Sequence, residues 1–232
     1  HGAAVAFAAK TLGHNARIYV PEVAGSAKIS LIEALGADLQ VVPGKYADAM
    51  VQAQAWEAET GARQVHAYDT IATVAGQGSL AHEWQDQGLT ADTLFIAVGG
   101  GGLIAGAAAW FGGNKKIIAV EPTTSCALHT ALEQGGPVDV EVSGVAVNAL
   151  GAKRIGQICF DLAVKTGIQS VLVSNDAILK AQNLLWLAHR QLVEPSGAAA
   201  LAALTSGAYV PEPGEKVAVL VCGANVDPDP LH

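Results

Sequence analysis

Four consecutive glycines, Gly99 to Gly102, are the plainest chemical feature of the sequence. They follow the apolar run Leu94-Phe95-Ile96-Ala97-Val98, which reads as a buried strand. They lead through Leu103-Ile104-Ala105-Gly106 into Ala107-Ala108-Ala109-Trp110, which reads as a helix. A strand, a glycine loop and a helix N-terminus together make an anion site. Without Cβ atoms the backbone N–H groups can approach a phosphate, and the helix dipole adds its positive end. Ordering four glycines is entropically unfavourable, so the run reads as a phosphate loop rather than a plain turn. Within it, Gly100-x-Gly102-x-x-Ala105 fits the dinucleotide pattern G-x-G-x-x-G/A. Glu121 follows about 20 residues on, at a strand end where a ribose-binding acid belongs. Taken alone, these residues leave open whose phosphate is bound. His66, His82, His129 and His189 show no metal-ligand spacing and read as surface or hydrogen-bonded core side chains, so no metal is expected.

Around this loop, strands and helices alternate at short spacing, which implies βαβ units and a parallel sheet. Residues 1–12 read as helix interior stopped at Gly13, and 16–20 as a strand closed by Pro21. Residues 26–35 read as a helix capped by Ser26 and ended by Gly36. A strand over 38–42, a helix over 46–60 and a short strand over 64–67 come next. A helix over 73–87 stops at Gly88. After the glycine loop and its helix to Phe111, 116–120 reads as a strand running into Glu121-Pro122, and 123–134 as a helix. Residues 135–151 read as loop with a short strand, and 152–165 as a helix that carries Cys159 away from the loops. A strand over 170–173 precedes a helix over 175–192 capped by Asn175. Pro195 opens a helix to Thr205, and 217–221 is a last apolar strand entering Cys222-Gly223-Ala224-Asn225. The chain is expected to divide into a small α/β lobe, 1–68, and a larger cofactor-binding lobe, 69–232.

Of the 232 residues, 51% are apolar and 15% charged, enough for one large or two small domains with a buried core. The formal charge of −8, with no basic cluster beyond Lys115-Lys116, argues against nucleic acid or an anionic membrane as partner. No run approaches the ~18 apolar residues of a membrane span. Three separated cysteines, Cys126, Cys159 and Cys222, fit a reduced, cytoplasmic compartment.

Six motifs in order carry a resemblance. His1-Gly2 before an Ala-rich helix is similar to the end of a Ser-x-Gly-Asn-His-Gly loop. Gly76-Gln77-Gly78-Ser79 is similar to Gly-Gln-Gly-Thr, and Gly99 to Leu103 to a tetraglycine phosphate loop. Val120-Glu121-Pro122 matches Val-Glu-Pro, and Glu194-Pro195-Ser196-Gly197-Ala198 matches Glu-Pro-Ser-Gly-Ala. Cys222-Gly223-Ala224-Asn225-Val226-Asp227 is similar to Ser/Cys-Gly-Gly-Asn-Val-Asp. With these motifs the chain resembles the fold-type-II pyridoxal-phosphate enzymes, specifically the serine/threonine dehydratase family, which includes serine racemase. The resemblance implies the two-lobed, parallel-sheet α/β fold of the tryptophan synthase β-like type.

It also implies pyridoxal 5'-phosphate as cofactor, held at its phosphate by Gly99, Gly100, Gly101 and Gly102 with Leu103 adjoining. Cys222 takes the position facing the pyridine nitrogen, and Gly144 the position of a glycine against the ring. Glu194 falls near the cofactor, where it can steer protonation; by residue type alone it is also a helix-start carboxylate. His1 matches a position whose backbone amide binds the substrate carboxylate. The implied activity is dehydration of a small 2-amino-3-hydroxy acid to a 2-oxo acid and ammonia, by a homodimer. Racemisation and elimination from 3-hydroxyaspartate are alternatives inside the family. A nicotinamide oxidoreductase and a catalytically dead cofactor-binding paralogue are alternatives outside it.

Two departures stand out. The family's Schiff-base lysine precedes the His-Gly pair, and no lysine here stands in its Ser-Phe-Lys-x-Arg setting. A natural polypeptide longer by roughly 70 to 90 residues is therefore expected. The metal site of some members pairs the glutamate matching Glu121 with an acid whose place is taken by Ala127, and the family's Ala-Asp-Gly reads Val142-Ser143-Gly144.

Overall fold

Continuous apolar runs in the central strands build the frame, because a strand covered on both faces buries every residue. The computed structural model describes residues 1–22, 24–44 and 46–225; Val226 and Asp227 of the last motif lie outside them. The chain forms two units, one built on His1–Val65 and the other on His66–Ala224.

In the first unit, α1 (Gly2–Leu12) ends at Gly13, which takes the left-handed conformation (φ 72). It leads into β1 (Arg17–Pro21), α2 (Ser26–Ala34), β2 (Asp38–Val42) and α3 (Tyr46–Thr60). Strands β1 and β2 pair in parallel, Arg17 opposite Asp38 and Val20 opposite Val41. Ala6, Ile18, Val20 and Ile32 close a small core between them and the helices.

The second unit runs α4 (Ile71–Asp86), β3 (Thr93–Ala97), α5 (Gly102–Phe111), β4 (Lys116–Pro122), α6 (Ala127–Gln134), α7 (Val147–Leu150), α8 (Gln157–Thr166), β5 (Gln169–Val173), α9 (Asn175–His189), α10 (Pro195–Thr205) and β6 (Val217–Val219). Its sheet is all parallel in the order β5-β4-β3-β6. Leu94, Ile96, Ile117 and Ala119 face a core shared with residues of α4, α5, α6 and α8. Phe95, Ala97, Ile118 and Val120 face a second core shared with α9 and α10. This is the doubly wound arrangement, and it places all loops at the carboxyl ends of the strands on one edge. Helices α4 and α5 cross through glycine: a Cβ on Gly106 would lie 2.5 Å from the Gly78 nitrogen. Gly78 of the Gly-Gln-Gly-Ser motif therefore serves close helix packing.

The structure corrects several expected elements. Residues 64–67 form no strand. Ser26 is the first helical residue after Gly25 rather than a cap, and its side chain caps nothing. The helices expected from 123 and 152 begin at Ala127 and Gln157, where Glu121, just upstream, and Asp69, 88 residues before Gln157, accept the first amides. Residues 135–151 hold the short α7 and no strand. Helix α9 is capped by Ser174, whose hydroxyl accepts from the Ala177 amide, not by Asn175. It ends at His189, with Arg190 left-handed at φ 55. Strand β6 stops at Val219.

Candidate active site at the carboxyl edge of the sheet

The glycine loop joins β3 to α5. Gly101 is the helix cap at φ 92, a left-handed conformation that favours glycine. The first amides of α5 have no intrahelical acceptor, and Gly101, Gly102 and Ile104 are buried. Buried donors at a helix N-terminus suit an anion. The loop residues thus fit a phosphate.

The surroundings explain each glycine in turn. A Cβ on Gly99 would come within 3.0 Å of the Ala149 carbonyl and of Leu150. One on Gly100 would enter the Tyr68 ring, and one on Gly102 would meet Tyr68 Cα at 3.0 Å. At Gly101 the neighbours are Ile155 and Cys159, whose Cβ would lie 2.6 Å away. Cys159 is therefore not on a helix remote from the loops; the first turn of α8 carries it beneath the loop. Burial pushes its thiol up to about 12, with the charges of Glu121 and Asp69 adding to the effect.

Cys222 leaves the sheet beside this loop. Strand β6 pairs with β3, Phe95 opposite Val219, and the Leu220 amide extends the ladder to the Phe95 carbonyl at 3.0 Å. Strand β3 feeds β4 on one side while β6 lies on the other, so the gap between their carboxyl ends is the topological switch point where such sheets bind ligands. Glu194 caps α10 with its backbone, and its amide donates to the Gly223 carbonyl at 3.1 Å. Its carboxylate lies against Gly223, where a Cβ would be 2.6 Å from Oε1. Cys222 is exposed at this edge; partial desolvation by the surrounding protein and then the nearby Glu194 charge raise its thiol, and the Gly223 amide opposes them.

Gly144 (φ 92) sits in a turn that two strand ends hold. After β4, the Thr124 hydroxyl donates to the Ser143 carbonyl at 2.9 Å, and the Ser143 amide returns a bond to the Thr124 carbonyl. After β5, Asn175 Oδ1 accepts from the Val145 amide at 3.2 Å. The buried Ser125 hydroxyl donates to the Leu150 carbonyl at 2.7 Å, tying this segment to the residues under Gly99.

Glu121 is fully buried and accepts from the Leu128 and His129 amides at 2.8 Å each, with the Ser170 hydroxyl at 3.3 Å. Both oxygens are thus engaged at the N-terminus of α6, which removes Glu121 as a ribose ligand and with it the acid of the dinucleotide reading. Burial raises its carboxyl to about 7, against the pull of those donors. His1 lies in the first unit, where Nε2 is 2.8 Å from the Val65 carbonyl. Among the described residues no three His, Cys, Asp or Glu side chains group as metal ligands.

Sequence reasoning passed over Tyr68, Asp69, Thr124, Ser125 and Asn175. They carry no motif of their own, and their partners lie far along the chain. The hint available was the polar run at the mouths of the strands.

A family model described as pyridoxal-phosphate dependent enzyme matches residues 1–223. The chain is similar to phenylserine dehydratase of Ralstonia pickettii, 33% identical over 98% of this chain and 70% of that protein. It is 34% identical to the biosynthetic L-threonine dehydratase of Salmonella typhimurium over 98% of this chain and 45% of that protein, so it spans under half of that relative. Among solved structures it is similar to the processed form of threonine deaminase isoform 2 from Solanum lycopersicum, with TM-score 0.90 and 29% identity over 98% of this chain and 67% of that one. It is also similar to maize serine racemase, with TM-score 0.90 and 27% identity over 98% of this chain and 71% of that one.

Proposed function

The chain belongs to the family of pyridoxal-phosphate-dependent enzymes, and from that premise we propose that it serves the dehydration of a small 2-amino-3-hydroxy acid of the serine or threonine type. The substrate loses the Cα proton and the Cβ hydroxyl, and hydrolysis of the resulting enamine's imine form releases a 2-oxo acid and ammonia. Pyridoxal phosphate, when bound, supplies an electron sink for the charge that develops at Cα.

The observation that carries this reading is the thiol of Cys222 at the switch point, one strand from the phosphate loop. In the proposal Gly99 to Leu103 present their amides to the phosphate, Gly144 lies against the ring, and Cys222 faces the ring nitrogen. A neutral thiol gives that nitrogen no negative charge with which to hold a proton. The sink is then moderate, which favours prompt loss of the β-hydroxyl over side transamination. Glu194, beside Cys222, is the carboxylate placed to move a proton near the ring, and the His1 backbone amide binds the substrate carboxylate.

The test is to supply serine, threonine and phenylserine to the purified protein with pyridoxal phosphate and to measure 2-oxo acid and ammonia. Stoichiometric release of the two supports the proposal. Inversion at Cα without release, read by chiral chromatography, supports a racemase instead, a reading favoured by the likeness to maize serine racemase. Tight NAD binding without pyridoxal phosphate binding overturns both. The proposal extends to a small lobe over 1–68 and a cofactor lobe over 69–232, to a cytoplasmic setting, which the three free cysteines support, and to a homodimer. Leu179, Leu184 and Leu187, exposed on α9, are apolar surface that a second copy can cover; sedimentation at equilibrium checks it. No helix among the described residues is long and apolar enough to cross a membrane.

A further inference from the structure

Asp69 lies half-buried, directly before the Thr70 cap of α4. Its carboxylate accepts from the Gln157 and Ile158 amides, each at 3.0 Å, and so caps α8 across 88 residues of sequence. The fit is close enough that a Cβ on Gly156 would lie 2.9 Å from Asp69 Oδ1. The next amide back, that of Gly156, donates to the Gly100 carbonyl at 3.1 Å. Residue by residue, Asp69 holds the start of α8, and the start of α8 holds the phosphate loop.

Peptide geometry gives this chain of contacts a direction. The Gly100 carbonyl shares a trans peptide plane with the Gly101 N–H, and the two point in opposite senses. Holding the carbonyl against α8 therefore aims the Gly101 N–H away from it. The neighbours of Asp69 complete the grip: the Tyr68 ring covers Gly100, and its Cα backs Gly102. The Tyr68 and Asp69 amides both reach His66 Nδ1, at 3.3 and 3.0 Å, which fixes the segment itself.

We infer that Asp69 is a positioning residue for the phosphate loop: through the N-terminus of α8 it fixes the Gly100 carbonyl and thereby the direction of the loop's amides. The inference rests on the reading of Gly99 to Leu103 as a phosphate site. Asp69 itself does not touch the phosphate. Its charge is matched to the positive end of α8, so its effect on an anion is transmitted by geometry rather than by repulsion.

The experiment titrates the purified protein with pyridoxal phosphate and, separately, with pyridoxal, which lacks the phosphate. Asp69→Ala is expected to weaken pyridoxal phosphate binding tenfold or more while pyridoxal binding stays within twofold. Asp69→Asn keeps the side-chain shape and one acceptor, and is expected to give an intermediate loss; it is the variant to read if the alanine protein does not fold. Equal weakening of both ligands would mean general loosening and overturns the inference. So does unchanged binding, or tighter pyridoxal phosphate binding in the Asn variant, which would mean that the aspartate only repels the anion. If the parent protein shows no preference for pyridoxal phosphate over pyridoxal, the phosphate-site reading itself fails, and the two failures are told apart.

Discussion

In the proposed site a small thiol, Cys222, takes the place from which a carboxylate would stabilise a protonated ring nitrogen, and the difference is open to substitution. Cys222→Ser keeps a neutral hydrogen-bonding group, so 2-oxo acid formation is expected to fall by about tenfold or less, or ~1.4 kcal/mol of barrier. Cys222→Asp adds a charge that holds a proton on the nitrogen, and is expected to lower dehydration considerably more while raising transamination. An Asp variant as fast as the parent would show that Cys222 does not face the ring. Cys159 cannot serve as the inert cysteine control, because it packs beneath Gly101; Cys126, at the α6 cap, takes that role. Glu121 makes a second residue-scale prediction. Its folded pKa of about 7 lies above the ordinary 4.5, so the stability linked to its proton is complete below pH 4.5 and is lost as pH rises through 7. The shift corresponds to on the order of 3 kcal/mol. Glu121→Gln loses one acceptor for two buried amides and is expected to destabilise by ~1–3 kcal/mol at pH 5. Urea unfolding should show the gap between parent and variant shrinking by pH 8, and a constant gap would mean that Glu121 stays ionised throughout.

The element at issue is α5, fixed at one end by the glycine loop and along its length by α4. Gly101→Ala has two costs: left-handed backbone, at ~1–2 kcal/mol for a residue with a Cβ, and collision with Cys159 and Ile155. Adding Cys159→Ala relieves only the Sγ part of the collision, because the Cβ of residue 159, 2.6 Å away, and Ile155 remain. Thermal unfolding of the single and double variants is therefore expected to show partial recovery, with pyridoxal phosphate affinity recovering in parallel. Full recovery would mean that the positive φ does not matter. Gly106→Ala presses a methyl group onto the Gly78 backbone, and overpacking of this kind costs ~1–3 kcal/mol. The same substitution at Gly76, where a Cβ meets nothing within 4 Å, is expected to be neutral or slightly stabilising.

Across the second unit, chemistry and support occupy opposite edges of the sheet. At the amino edge Glu215 accepts from the Thr93 hydroxyl, from the Tyr209 hydroxyl at 2.7 Å and from the Glu212 amide at 2.8 Å, with Lys116 at 3.5 Å. These donors, Thr93 foremost, hold its carboxyl at about 2. Its contribution to stability is thus present above pH 4.5 and lost as pH falls toward 2. Glu215→Ala is expected to lower the melting temperature at pH 7 and to leave pyridoxal phosphate affinity unchanged, since the whole sheet separates it from the glycine loop. A change in affinity would mean that the two edges are coupled.

Much of this molecule is legible in one dimension. The six motifs, the strand–helix alternation and the glycine loop are local patterns, and each depends on short-range physics: burial period, backbone freedom and helix-end donors. Those patterns determined the fold class, the parallel sheet and the cofactor family. Only the tertiary structure decided that Glu121 caps α6 from inside the core, that Cys159 lies under Gly101, and that Asp69 reaches α8 to hold Gly100. The helix start read at 152 failed for the same reason, since α8 begins where a distant carboxylate, Asp69, accepts its first amides; the carboxylate that takes the first amides of α6, Glu121, lies just upstream of it. Contacts across 88 residues, such as Asp69 to Gln157, leave no periodic trace in sequence. They arise when packed layers bring strand ends together and buried amides take whatever acceptor the fold delivers.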